Sequence, residues 1–329
     1  VKKFQNEEYI ARINRVIDYI NSHITEELTL DILAEVACFS RYHFHRIFHA
    51  MIGETLNQFI QRIRVEKAAA QLVNNPKISI TEIALDCGFS GSAAFARAFK
   101  DAFQMSASEW RAGGYRLDRK NRKKESNNSQ TIDKIRKEIE ISSSYVDNVT
   151  HNQIWRMKVK NKKVETKKDF QVEVKELPEM HLAYVRHIGP YKGDAALFEN
   201  LFNKLMTWAG PRNLLRFPET KMMAMYHDNP EITDESKLRT DACITIPPDT
   251  KVDGEIGKSK IDAGKYAVAR FELSNDEYEE AWNAFFGGWF PQSGYQPDDG
   301  ACFELYQNDP KEHPENKCIV DICVPVKPL

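Results

Sequence analysis

Six cysteines in 329 residues form no Cys-x-x-Cys pair. Cys38, Cys87, Cys243, Cys302, Cys318 and Cys323 are too scattered for a zinc ribbon or a dithiol redox motif, and they read as buried free thiols. No apolar run approaches the roughly twenty residues a membrane helix needs. The opening segment, VKKFQNEEY, has no signal-peptide core, so a cytoplasmic protein is expected. Nucleophile triads, metal-ligand spacings and Gly-rich phosphate loops are absent too, which argues against hydrolase, metalloenzyme and nucleotide-binding classes and leads us to expect no cofactor and no metal. Charge of one sign is also scarce, with a net of -2. The balance is about 0 over 1–118, about +9 over 119–168 and about -11 over 169–329. If the first third binds nucleic acid, it does so through locally placed cations, with Arg46, Arg62, Arg64, Arg97 and Lys100 as candidates, and not through a general positive field.

What is present begins with the stretch Thr29–Met51. A short apolar helix leads to a turn at Cys38-Phe39-Ser40, and a second helix follows. On that helix Phe44, Ile47, Phe48 and Met51 recur at the spacing of a buried stripe. The other side carries Tyr42, His45, Arg46 and His49, whose donors and charges suit base edges and phosphates. His45 and His49 stand one turn apart, but no carboxylate or cysteine accompanies them, so base or phosphate contact is the better reading than a metal.

The motif repeats. A shift of about fifty residues superposes Ala34–Ser40 on Ala84–Ser90, and one residue more places Phe44, Arg46 and Phe48 over Phe95, Arg97 and Phe99. Phe59 then matches Trp110. The second copy presents Ser92, Ala93, Ala96, Arg97 and Lys100 in place of the richer set on the first. Alanine touches a thymine methyl but neither donates nor accepts, so the first helix is expected to read bases and the second mainly to hold phosphates. Between the copies, Thr55–Val73 has a Thr-x-x-Gln capping signature and no helix breaker. A helix of that length is about 28 Å long, near the roughly 34 Å between major grooves on one face of B-DNA. One chain can therefore span two grooves, and a monomer on DNA is expected.

The run Ser79–Trp110, SITEIALDCGFSGSAAFARAFKDAFQMSASEW, resembles the signature of the AraC/XylS transcription regulators. That resemblance extends over about residues 8–115. It implies seven helices in two helix-turn-helix subdomains joined by the long helix, double-stranded DNA as partner, and RNA polymerase as a further one.

From Arg116 to Lys168 the chain is polar and basic, without apolar periodicity, and reads as a tether suited to phosphate contact, with a short helix near Ile132–Ile141. Regular patterning returns after it. Strands are predicted at Phe170–Pro178, Met180–His187, Met222–Tyr226, Asp241–Ile246, Tyr266–Leu273, Ala301–Tyr306 and Ile319–Val326. Helices are predicted at Asp194–Trp208 and Asp276–Phe286. Leu182–Arg186 and Tyr266–Arg270 occupy matching places before the two helices, which indicates two strand-helix-strand-strand units in an α+β domain with a pseudo-twofold. The expected layout is thus multi-domain: an all-α DNA-binding domain at 1–115, a basic linker at 116–168 and an α+β domain at 169–329.

The last part resembles GyrI-like effector-binding domains through His187-Ile188-Gly189-Pro190-Tyr191 and Phe303-Glu304-Leu305-Tyr306-Gln307-Asn308-Asp309-Pro310. The resemblance implies an aromatic-lined pocket in which Glu304 meets a lipophilic cation. In a strand, Glu304 and Tyr306 share a face while Phe303 and Leu305 take the other. A carboxylate desolvated by aromatics is costly unless paired, so Glu304 is expected to have a raised pKa or a tyrosine partner. Tyr191, Trp282, Phe286, Trp289, Phe290 and Tyr295 are candidates for the wall, where their faces would attract a cation. The function implied is a DNA-binding regulator switched by a small hydrophobic, cationic effector, not an enzyme. Two alternatives stand beside it, a module that binds a protein partner and a small-molecule hydrolase using Glu304 and Tyr306.

Overall fold

The structure is a computed structural model that describes residues 2–75, 77–114, 139–146, 153–161 and 164–329. It divides into two compact units, Val1–Arg122 with Asn229–Asp234 and Lys251–Ser259, and Lys123–Asp228 with Glu235–Thr250 and Lys260–Leu329.

In the first unit α1 (Lys2–Ser22), α2 (Leu30–Val36) and α3 (Arg41–Ile52) precede the long α4 (Leu56–Asn74), and α5 (Ile80–Asp86), α6 (Ser92–Phe103) and α7 (Ala107–Glu109) follow it. A π turn, Trp110–Gly114, closes the series. Side-chain caps start several of these helices. Thr29 and Ser79 each accept from the backbone three residues on, and Thr55–Gln58 and Ser106–Glu109 form full capping boxes. The long helix serves two cores. Its first half gives Phe59, Ile60 and Ile63 to a cluster with Ile17, Leu33, Phe44 and Phe48. Its second half gives Val65, Ala68, Ala69 and Leu72 to a cluster with Ile83, Phe95, Phe99 and Trp110. The correspondence of Phe59 and Trp110 thus reflects equivalent anchoring, and the Trp110 indole also donates to the Ala69 carbonyl at 3.1 Å. One stripe residue departs from expectation. Met51 is 37% exposed, and Ile52 packs on the first core in its place.

In the second unit, β3 (Val164–Leu177), β4 (Met180–Ile188), α8 (Ala195–Ala209), β5 (Met222–Tyr226), β6 (Arg239–Thr245), β7 (Gly257–Ile261, of which only Lys260 and Ile261 belong to this unit), β8 (Gly264–Leu273), α9 (Tyr278–Ala284), β9 (Tyr295–Pro297), β10 (Cys302–Tyr306) and β11 (Cys318–Pro328) follow in order. A π turn, Phe285–Trp289, and a short helix, Phe290–Ser293, lie between α9 and β9. The predicted strands and helices of this region are all present, with β7 and β9 in addition. Two strands precede β3, β1 (Ile139–Val146) and β2 (Gln153–Asn161). Ile139–Ile141 therefore begins a strand where the sequence suggested the end of a helix, and residues 132–138 lie outside the described ones.

The sheet runs β1-β2-β3-β8-β11-β10-β5-β6-β4-β7, with β9 on β11. Six consecutive strands, β8-β11-β10 and β5-β6-β4, are two copies of one arrangement meeting at the β10–β5 pair. There Glu304 faces Ala224 across the ladder. The repeat persists in the registers, since Arg186 lies opposite Asp241 and Arg270 lies opposite Asp321. β11 is buried on both faces, which is why Ile319–Val326 reads as a nearly unbroken apolar run. One face packs Ala281, Ala284 and Phe285 against Phe271, Val320 and Ile322. The other gathers Tyr184, Met223, Met225, Phe303 and Cys323.

The thiols depart in part from expectation. Cys87, Cys243 and Cys323 are buried, Cys302 and Cys318 partly so, and Cys38 is exposed. Cys38 occupies the turn of the first motif at φ +52°, where the second motif has Gly88 at +81°.

Candidate functional site

Two groups of side chains carry chemistry, one in each unit. On the helical unit, α3 buries Phe44 and Phe48 and leaves His45, Arg46 and His49 exposed. On α6, Phe95 and Phe99 are buried while Ser92, Ala93, Ala96, Arg97 and Lys100 are exposed. Tyr42 lies on α3, but its side chain is outside the described residues. Each helix therefore turns its apolar stripe into its own core and its polar or small-residue face outward. Among the described residues, no group of three His, Cys, Asp or Glu side chains is arranged to hold a metal ion.

The turns before these helices share one geometry. The Phe39 amide donates to the Ala34 carbonyl at 3.0 Å, and the Phe89 amide does the same to Ala84. Two cations read as DNA contacts from sequence turn inward instead. Arg62 donates to Glu54 at 2.6 and 3.0 Å and to Glu66 at 3.1 Å, largely out of solvent. Arg64 donates to the carbonyls of Ile24 at 3.0 Å and Glu26 at 2.9 Å. Sequence gives a charge but not its direction, and on a helix with cores at both ends these two positions face protein.

In the second unit, Glu304 lies on β10 with 2% exposure. Burial drives its carboxyl above the usual range, against the pull of its hydrogen bonds. Trp282 Nε1 donates to Oε1 at 2.6 Å, while the hydroxyls of Tyr226 and Tyr306 donate to Oε2 at 2.9 and 3.1 Å. Burial and the adjacent carboxylate hold both phenols well above their ordinary range, so they remain protonated donors. Both anticipated consequences of an aromatic setting, the raised carboxyl and the tyrosine partner, occur together.

Around this carboxylate the rings interlock. Tyr226 meets Tyr191 at 5.3 Å and Trp282 at 5.8 Å, and Phe202 meets Tyr306 at 5.8 Å. Trp282 stacks on Phe286 at 5.9 Å, and Phe286 is 39% exposed. The helix of each half thus lays an aromatic against the tyrosine of the other half: Phe202 of α8 on Tyr306, and Trp282 of α9 on Tyr226. Of the residues proposed from sequence, Tyr191, Trp282, Phe286 and Tyr306 gather about Glu304. Trp289 is placed in the core instead, with rings of Phe285, Phe290 and Tyr295 at 5.6, 5.0 and 6.3 Å.

Tyr226 and Phe202 were not anticipated. The signal for Tyr226 was a second internal repeat, Tyr226-His227-Asp228-Asn229-Pro230 against Tyr306-Gln307-Asn308-Asp309-Pro310. The equivalence extends to chemistry. His227 lies 2.7 Å from Asp241 and Gln307 donates to Asp321 at 2.9 Å. Arg186 grips Asp241 through two bonds of 2.7 Å, and Arg270 grips Asp321 through bonds of 2.6 and 2.7 Å. Although burial works against its charge, Arg186 and His227 hold Asp241 well below the usual carboxylate range.

Two outward-facing turn-anchored helices and a buried carboxylate among aromatics define a DNA-binding regulator with a domain for a small molecule. Comparison with known proteins agrees. Residues 170–327 match the GyrI-like small molecule binding domain, and residues 33–113 match a helix-turn-helix domain. The chain belongs to the GyrI-like family and is an AraC-type DNA-binding transcription regulator with a GyrI-like effector-binding domain. It is similar to a DNA gyrase inhibitor of Yersinia enterocolitica, at 32% identity over 38% of this chain and 78% of that one. It is also similar to DNA gyrase inhibitor 2 of Dickeya dadantii, at 34% identity over 38% of this chain and 77% of that one. Among solved structures, the DNA-binding domain of AdpA in complex with a target DNA matches at 28% identity, over 32% of this chain and 94% of that one, with a TM-score of 0.30. The C-terminal domain of EcmrR matches at 19% identity, over 49% and 99%, with a TM-score of 0.41.

Proposed function

We propose that the effector is a hydrophobic cation bound against Glu304, and that its binding alters the affinity of the helical unit for a bipartite DNA site. The observation that carries this reading is a buried carboxylate whose donors leave its charge uncompensated. Neutral donors soften the cost of an ionised carboxylate in an apolar setting, and a cation removes it. Delocalised charge spread over rings is favoured, because the faces of Tyr191, Trp282 and Phe286 attract it without demanding further hydrogen bonds. On the DNA side, His45, Arg46 and His49 read bases, with Tyr42 assigned beside them from sequence. Ser92, Ala93, Ala96, Arg97 and Lys100 hold phosphates and pack on thymine methyls. A DNA-bound regulator of this kind acts through RNA polymerase, and the chain works in the cytoplasm as a non-enzyme.

The test is thermal melting of the full chain with tetraphenylphosphonium and with triphenylphosphine oxide, a neutral molecule of similar size, for the wild type and Glu304→Gln. Stabilisation by the cation alone, lost in the variant, supports the reading. Equal stabilisation by both compounds, or none by either, overturns it. A second reading, a surface that binds a protein, is favoured by one observation, the similarity of this unit to proteins named DNA gyrase inhibitors. It predicts stoichiometric capture of purified gyrase irrespective of Glu304.

A further inference from the structure

The two helix-turn-helix motifs share α4, but a shared helix fixes only their separation along its axis. Their angle depends on how the second motif seats against the first. The described residues contain a junction at that place. Arg64, on α4, sends Nε to the Ile24 carbonyl at 3.0 Å and Nη2 to the Glu26 carbonyl at 2.9 Å. Ile24 and Glu26 belong to the connection between α1 and α2 in the first motif. The turn of the second motif comes near the same atoms. A Cβ at Gly88 would stand 2.2 Å from the Ile24 oxygen, 2.9 Å from Arg64 Nε and 3.0 Å from Arg64 Cζ.

Two features bear on glycine at 88, and only the second requires it. The turn needs φ +81°, and the backbone comes too close to the first motif for any side chain. The corresponding position of the first motif, Cys38, adopts φ +52° with a side chain and is exposed, so the turn by itself does not require glycine. The close approach does. Arg64 supplies the directional part of the junction, because a planar guanidinium bonding two carbonyls of one loop allows little rotation.

We propose that the Arg64–Gly88 junction sets the angle between α3 and α6, and so determines the half-site spacing that the protein accepts on double-stranded DNA. Arg64 is on this account a positioning residue that does not touch DNA. The inference rests on the reading that both motifs contact DNA.

The experiment uses the full chain and a duplex selected with it from a random-sequence library, its half-sites mapped by hydroxyl-radical footprinting. Affinity is then measured on that duplex, on versions with the half-sites moved by one, two and five base pairs, and on the first half-site alone. Wild type should lose roughly tenfold or more when the spacing shifts, since five base pairs carry the second half-site to the opposite side of the helix. Arg64→Met should bind the parent duplex roughly tenfold more weakly, bind the single half-site as wild type does, and lose less than about threefold on respacing by one or two base pairs. Its salt dependence should equal that of wild type, whereas a lost phosphate contact would reduce the slope by about one. Arg64→Lys, which keeps one donor, should fall between and serves as the reading variant if Arg64→Met does not fold.

Retention of the wild-type spacing preference by both variants overturns the proposal, as does equal weakening on the full and half sites. A wild type whose footprint covers a single half-site, with no spacing dependence, overturns the underlying two-motif reading and the proposal with it. The two failures are therefore distinguishable.

Discussion

At Glu304 one carboxyl sets the behaviour of the proposed effector site. Its pKa is raised in the folded chain, so the folded state binds a proton more readily than the unfolded one. The stability this proton confers is complete below the ordinary value of about 4.3 and is lost as pH rises through the folded value. Chemical denaturation of wild type and Glu304→Gln at several pH values should show wild type losing ground to the variant across that window. Binding of a cation should move the other way and strengthen with pH as Glu304 ionises. Tyr226→Phe removes a donor to the ionised form, a bond of about 1.5–3 kcal/mol when one partner is charged. Calorimetric titration of that variant should place the rise in cation affinity at higher pH than in wild type.

The paired Arg–Asp bridges separate burial from geometry at the same scale. Arg186 and Asp241 have side chains 1% and 0% exposed, whereas Arg270 is 60% exposed beside Asp321. Asp241→Asn strands a buried guanidinium and is expected to cost about 3–5 kcal/mol. Asp321→Asn leaves a cation that turns to water, and its cost is expected to stay near 1 kcal/mol or less. Urea unfolding of the two variants compares positions of identical register and opposite surroundings.

Among the elements, α3 and α6 are alike in backbone and unlike in content. Each turns phenylalanines inward, but α3 presents His45, Arg46 and His49 where α6 presents Ala93, Ala96 and Arg97. A base-substitution scan of the selected duplex should therefore show larger losses in the half-site under α3, about 1–3 kcal/mol at a base read by a paired side chain. Larger losses under α6 would reverse the assignment. Arg97→Ala should lower the slope of log affinity against log salt by about one, as expected for a lost phosphate contact. The long helix is secured by its Thr55–Gln58 box, and Thr55→Ala should cost about 1 kcal/mol in urea unfolding.

Across the whole molecule, the proposed ligand and DNA sites lie in separate compact units, so regulation requires that effector binding change the free energy of a DNA-competent state. An effector at one hundred times its dissociation constant should stabilise its unit by about 2.7 kcal/mol, visible as a rise in Tm. By reciprocity, the selected duplex must change effector affinity by the same factor that effector changes DNA affinity, and anisotropy titrations in both orders check this.

Much of this was written in local patterns. Apolar spacing, capping signatures and the fifty-residue repeat determine the helical unit, because short-range periodicity decides which face of a helix is buried. Alternation and the recurrence of Leu182–Arg186 as Tyr266–Arg270 determine the two half-sheets, and the placement of Glu304 beside Tyr306 on one face follows from the two-residue period of a strand. What only the tertiary structure decided is where long side chains point and which distant ones meet. Arg62 and Arg64 have the same charge as Arg46 and Arg97, yet packing against both cores turns the former inward. Tyr226 reaches Glu304 because β5 and β10 pair at the centre of the sheet, across a separation of 78 residues. Trp289 looks like a wall residue by composition and is a core residue by position. Such outcomes depend on sheet order and on the close approach of elements remote in sequence, which no local pattern encodes.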